Sequence, residues 1–214
     1  MTSQARRSAR LTTVALLLAA VQLAAADDCS CATMASCQSC GSTRVVAAMN
    51  AAPTDTTVQA NACFVLHWSP IDQVVGASGL TAVISGMKNS GEDGAAAAHC
   101  SVALGKLADD GREDASGHSH AAEVAEAGGV ALLTEAMVKH ADNAEVQSFG
   151  AYALASLSKN GQADAVAMAG GAELIVKATQ TLPEELGVLV NGCNGERLLE
   201  LHPHPIFRRF CPIF

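Results

Sequence analysis

The chain has 214 residues, half of them apolar, with 13 basic against 21 acidic side chains and a formal charge of −8. That is enough apolar material for a real core in one globular or elongated domain, and the acidic balance lacks the positive stripe a nucleic-acid reader needs. Aromatic residues are only 3% of the chain, so the core must be made of Ala, Val, Leu and Met, which suits closely packed helices better than a sheet sandwich.

Residues 1–26 begin with Arg6, Arg7 and Arg10, run through the apolar "VALLLAAVQL" and end in a small-residue "AAA" at Ala26. Basic, apolar, then small is the order of a secretory signal peptide. The apolar run Leu11–Ala26 falls short of the roughly 20 residues a membrane-spanning helix needs, so no span is expected after cleavage. A mitochondrial presequence is the rival, given the arginines, serines and lack of acids, but the apolar centre is unbroken rather than amphipathic. The expected compartment is secreted or secretory-lumenal, with mitochondrial or cytoplasmic residence as alternatives. A mature chain from near Asp27 keeps 10 basic residues against 21 acidic, a charge of −11.

A cysteine-rich segment follows over 27–40, "DDCSCATMASCQSC", with Cys29, Cys31, Cys37 and Cys40 inside twelve positions. Three chemistries are open to it: disulfides in a secreted domain, a zinc site, or a redox pair in "CQSC". The paired CxxC…CxxC spacing of a four-thiolate zinc site is not met.

From Gly41 onward the sequence repeats itself. Gly41, Gly79, Gly129 and Gly171 each stand eight residues before an anchor, Met49, Met87, Met137 and Thr179, hence spacings of 38, 50 and 42 residues. Apolar columns share that register: Val45, Val83, Leu133 and Ile175 four before the anchor, and Val58, Ala96, Val146 and Val188 nine after it. Leu66, Leu104 and Leu154 stand seventeen after it, where the fourth copy breaks at Glu196. Each unit reads as a short helix, a glycine break, a second helix, a polar link and a third helix. In the third copy these are Ser119–Ala127, Val130–Lys139 and Glu145–Lys159. Gly128 and Gly129 fit a sharp bend, Asn143 fits an N-cap, and in the second copy Ser69 caps a helix with Pro70 in its first turn and Asp72 near the positive end of its dipole.

The stretch "AGGVALLTEAMVKHADNAEVQSFGAYALASLSKNGQADAVAMAGG" resembles an armadillo repeat. It is particularly similar to the divergent armadillo/HEAT-like repeats in the armadillo region of leucine-rich repeat kinase 2 and in protist repeat proteins. The resemblance is strong from Glu126 to about Val190 and weaker from Gly41 to Leu107. It implies an all-α, right-handed armadillo-like solenoid of about four repeats over 41–200, followed by an irregular tail over 201–214. It covers repeats only, and no kinase signature accompanies it.

Gly41 then becomes the bend glycine of the first copy, and Cys37 and Cys40 share a face of its first helix. In a lumen, Cys29, Cys31, Cys37 and Cys40 are expected to form one or two disulfides that tie down the end of the array. Cys63, Cys100 and Cys193 sit where a third helix packs into its neighbours and read as buried small hydrophobes; Cys211 is unassigned. In peptide-binding armadillo proteins a Trp and an Asn four residues apart recur on the concave face. The matching pairs here are Phe64 and Trp68, Val102 and Lys106, Tyr152 and Ser156, and Asn194 and Leu198. Aromatics hold two copies and the Asn column is absent, so Phe64, Trp68, Lys106, Tyr152 and Ser156 are the candidate partner-contacting residues, with gap-filling between repeats as the plainer reading.

Two polar groups complete the inventory. The loop "ADDGREDASGHSH" combines Asp109, Asp110, Glu113, Asp114, His118 and His120, either as a divalent-metal site or as a solvated insertion without defined ligand spacing. The "HPHP" at 202–205 is a weaker signal of the same kind. No cofactor is implied. The leading expectation is a non-enzymatic, protein-binding armadillo-type protein on the secretory route, bound by unidentified protein partners. The alternative is a lumenal thiol-dependent factor using Cys37 and Cys40.

Overall fold

A computed structural model describes residues 29–110 and 119–198. The signal-peptide segment, the tail 201–214, and Glu113, Asp114 and His118 of the acidic loop lie outside those residues. The described residues are helical and contain no strand, and the helices fall into triplets. The first triplet is α1 (Met34–Gln38), α2 (Ser42–Ala51) and α3 (Thr56–Trp68), and the second is α4 (Ile71–Gly76), α5 (Gly79–Asn89) and α6 (Gly94–Asp109). The third is α7 (His120–Glu126), α8 (Gly129–Lys139) and α9 (Ala144–Leu157). A π-turn at Ser158–Gln162 leads into the fourth, α10 (Ala163–Met168), α11 (Gly171–Thr181) and α12 (Leu186–Leu198).

The third helix of the first three triplets starts at an acidic or amide cap. Asp55, Asp93 and Asn143 each accept from two amides of the first turn, at 3.0–3.2 Å, satisfying donors that have no intrahelical partner. Ser69 does not play the part expected of it. Its hydroxyl donates to the Val65 carbonyl at 2.8 Å and closes α3, while Pro70 takes the N-cap position of α4.

The bend between first and second helices is left-handed at Ser78, Gly128 and Gly170, with φ of 59°, 85° and 74°. The first copy differs: Gly41 has φ of −77° and extended backbone, so it is an N-cap and not a left-handed bend. What the glycine column preserves is a close approach. A Cβ on Gly79, Gly129 or Gly171 would strike the valine five residues earlier, Val74, Val124 or Val166, so the column fixes how tightly the first helix folds back on the second.

The apolar columns form the core. Val45, Val83, Leu133 and Ile175 are each 0% exposed, as are Ala96, Val146, Val188, Leu104 and Leu154. The third helices lie side by side, α3 on α6, α6 on α9 and α9 on α12. Small residues permit the approach: a Cβ on Gly105 would sit 2.7 Å from the Tyr152 ring and 2.9 Å from the Ala153 Cα.

Two glutamines do a job absent from the sequence expectations. Gln59 donates to the carbonyls of Met49 (3.0 Å) and Ala52 (2.9 Å). Gln147, at the same offset from its anchor, donates to those of Met137 (2.7 Å) and His140 (2.9 Å). Each satisfies carbonyls at the end of a second helix from within the third helix of the same triplet, which welds the two together with buried polar contacts.

Candidate partner-binding face

The N-terminal cysteines are bridged, Cys29 to Cys40 and Cys31 to Cys37, with Cα–Cα separations of 6.0 and 4.3 Å, close to the usual disulfide range. The two cysteines of "CQSC" therefore bond to separate partners rather than to each other. Asn61 on α3 donates to the Cys31 carbonyl at 2.8 Å, so the cap is fastened to the first triplet by a polar contact as well. Cys63 and Cys100 are fully buried, as their repeat position requires, but they are not inert thiols: they form a disulfide across α3 and α6, Cα–Cα 4.9 Å. Cys193 is also disulfide-bonded. Cys63 and Cys100 read as small hydrophobes in the sequence because burial and bonding place the same demand on residue size, whereas Cys193, expected to be buried with them, is only partly so.

Around the C-terminal end of α3 the structure gathers three of the candidate face residues. Trp68 is 71% exposed, yet its ring is held edge-on against Phe64 (centroids 6.4 Å) and His67 (4.8 Å). Phe64 in turn meets the His99 ring at 5.1 Å, and His99 Nδ1 is hydrogen-bonded to the Ala60 carbonyl at 3.1 Å. Lys106 reaches back from α6 and donates to the carbonyls of His67 and Ser69, the latter at 2.6 Å. A cation there satisfies the negative end of α3. Lys106 is thus a clasp between two third helices, and burial holds its pKa below the usual lysine value.

His67 is tuned by the same packing. Burial lowers its pKa, the Lys106 charge lowers it further, and its Nδ1 is buried without a hydrogen-bond partner. The ring favours its neutral form.

Tyr152 and Ser156 lie one seam further on. The Tyr152 ring packs over Gly105, and its phenol is pushed above its ordinary pKa by burial and by the nearby Asp109 charge, with Ser156 hydrogen-bonded to it. Ser156 is only 4% exposed, because the seam between α6 and α9 closes over it. It supports Tyr152 and presents nothing outward, which removes it from the candidate contact residues.

A groove of about 360 Å³ runs beside Trp68, lined by Gly41, Ser42, Phe64, Trp68, Pro70 and Gln73 among others. Its volume is in the range of small-ligand and side-chain pockets. Gly41, Ser42 and Gln73 carry no sequence signal of a site, because they meet only when the start of α2 and the turn from α3 to α4 are brought together.

The acidic loop is dispersed where it is described. Asp109 pairs with Lys159 at 2.9 Å, and Asp110 with His120 at 3.2 Å. Among the described residues no three metal-ligating side chains gather, and no helix is long and apolar enough to cross a membrane. Compared with protein-family models, curated proteins and solved structures, the chain matches none.

Proposed function

We propose that this chain is a non-enzymatic armadillo-type interaction protein of an oxidising, secretory compartment, and that it binds a protein partner through the aromatic face around Trp68. The carrying observation is the exposure of Trp68, 71%, in a chain with one tryptophan. An indole packed edge-on against Phe64 and His67 yet left open to solvent offers the kind of large apolar surface that anchors interfaces. The triplet order and the side-by-side third helices support the armadillo reading, and the bridged cysteines support an oxidising compartment. The thiol-factor alternative has less support, because Cys37 is fully buried in its bridge to Cys31 and reactive thiols need access.

The test is selection from random peptide libraries displayed with either the N-terminus or the C-terminus free, against wild type and Trp68→Ala. Wild type is expected to enrich apolar-containing peptides that Trp68→Ala binds about 30-fold more weakly, the weight of an aromatic anchor of about 2 kcal/mol, at unchanged melting temperature. Enrichment indifferent to Trp68 sinks the reading.

A further inference from the structure

Two seams show which flank a third helix turns toward the third helix that follows it. Eleven residues after the anchor of its triplet, Ser148 of α9 accepts from Asn191 of α12 at 3.0 Å. Fourteen after its own anchor, Cys63 of α3 bonds across to Cys100 of α6. In α12 the same two offsets hold Val190 and Cys193, and among the described residues no helix follows to cover them. That flank is apolar. Leu186, Leu189, Val190 and Cys193 have the i, i+3, i+4, i+7 spacing of a single helical stripe, turned away from Gly187 and Asn191, which meet Ser148 of α9. Leu186 is 73% exposed and Val190 51%, whereas Ser148 and Ala151, the counterparts of Val190 and Cys193 in α9, are buried.

The cysteines say what covers this stripe. The chain has eight; six pair with one another, Cys193 is bonded as well, and the one left to bond it is Cys211. We propose that the chain's own segment 201–214 docks on the open flank of α12 in place of a further third helix, with Cys211 bonded to Cys193 and the tail's apolar side chains on Leu186, Leu189 and Val190. The reach is ample: the twelve residues 199–210 can span about 40 Å, and Cys193 lies only five residues back from the end of α12. The chemistry matches, since the tail carries Ile206, Phe207, Phe210, Ile213 and Phe214, three of the five phenylalanines of the chain. A tether of this length holds the tail at an effective concentration of about millimolar, which favours it over a second copy of the chain. Forming the bond takes two protons and two electrons from the two thiols, and a disulfide donor of the oxidising compartment accepts them and becomes a dithiol. The flank belongs to the fourth triplet and is independent of the Trp68 face. An array whose terminal unit is covered in this way meets the need of solenoids for a cap over the last exposed repeat.

The experiment has two arms, both on the disulfide-intact protein. In the first, monomer taken under non-reducing conditions is alkylated and digested with trypsin. Cleavage after Lys177, Arg197 and Arg209 leaves Cys193 in 178–197 and Cys211 in 210–214, and the two are expected as one linked species that separates on reduction. An alkylated Cys211, or a link found only in dimers, overturns the inference; the second result would make another copy the occupant. The second arm asks whether the tail covers the stripe or merely hangs from the bond. Hydrogen exchange of the amides in 206–214 is compared between wild type, Leu186→Ser with Val190→Ser, and Phe210→Ser, none of which touches a cysteine. Each variant removes buried apolar contact, so the tail amides are expected to exchange about tenfold or more faster than in wild type while the bridge persists. Phe210→Ser leaves α12 itself unaltered, and Val138→Ser, at an exposed position of α8, is expected to change nothing. Tail exchange that is equal in wild type and in both variants shows a bridged but undocked tail and overturns the inference.

Discussion

Replacing Cys63 and Cys100 together with alanine removes the bridge between α3 and α6. The bridge closes 37 residues of chain, and the loop-entropy relation gives about 4 kcal/mol at 25 °C for a loop of that length. The same relation gives about 3 kcal/mol for Cys29–Cys40, separation 11, and about 2 kcal/mol for Cys31–Cys37, separation 6. The order matters more than the absolute values, since strain and residual structure shift all three. The assay is urea unfolding followed by far-UV circular dichroism for the three paired-alanine variants, each compared with wild type under non-reducing conditions. The Cys63/Cys100 variant is expected to lose the most, with a melting temperature lower by roughly 10 °C for a chain of this size. Thiol titration of denatured, unreduced wild type should find at most one thiol per chain. An unchanged midpoint, or two thiols released from α3 and α6, would refute the bridge and return both cysteines to the role of plain core residues.

Gln147→Met keeps the side-chain volume but leaves the Met137 and His140 carbonyls without their donor, and should cost about 1–3 kcal/mol in urea unfolding. The exposed Gln180→Ala should stay within about 0.5 kcal/mol, and equal effects would deny the weld. The His67 pKa lies below its ordinary 6.5 because of burial and Lys106, so the unfolded chain takes up its proton first as pH falls. The corresponding stability is present above pH 6.5 and is lost as pH drops from there toward the folded value. Melting temperature should therefore fall between pH 7 and pH 5 in wild type and fall less in His67→Asn; a parallel decline in both would assign the dependence to other groups.

The parts of the fold visible in the sequence were those that repeat. Anchors, apolar columns and glycines recur at fixed offsets because each triplet solves the same packing problem, and so Val83, Leu133 and Asn143 could be placed before any coordinates. The glycine column was legible as a position but not as a cause: the sequence suggests a backbone angle, whereas Gly79 and Gly129 are required by contact with Val74 and Val124. Gln59 and Gln147 share an offset and were still missed, because a glutamine column reads as solvated surface until its amides are seen to reach buried carbonyls. The candidate face was legible in its aromatics only. Lys106 and Ser156 share the surface register with Trp68, but one is bound to the end of α3 and the other lies under a closed seam. Periodicity assigns a face to each residue; it does not reveal which neighbour already occupies it.

The partner-binding account stands most directly on Trp68, the one tryptophan of the chain. Acrylamide quenching of its fluorescence, with and without a saturating peptide selected on the wild-type protein, reads that residue alone. An indole that is 71% exposed should be strongly quenched in the free protein and protected in the complex, with emission shifting to shorter wavelength as water leaves the ring. Weak quenching in the free protein, or quenching unchanged at saturation, would show that the peptide is bound elsewhere and that Trp68 is not its anchor.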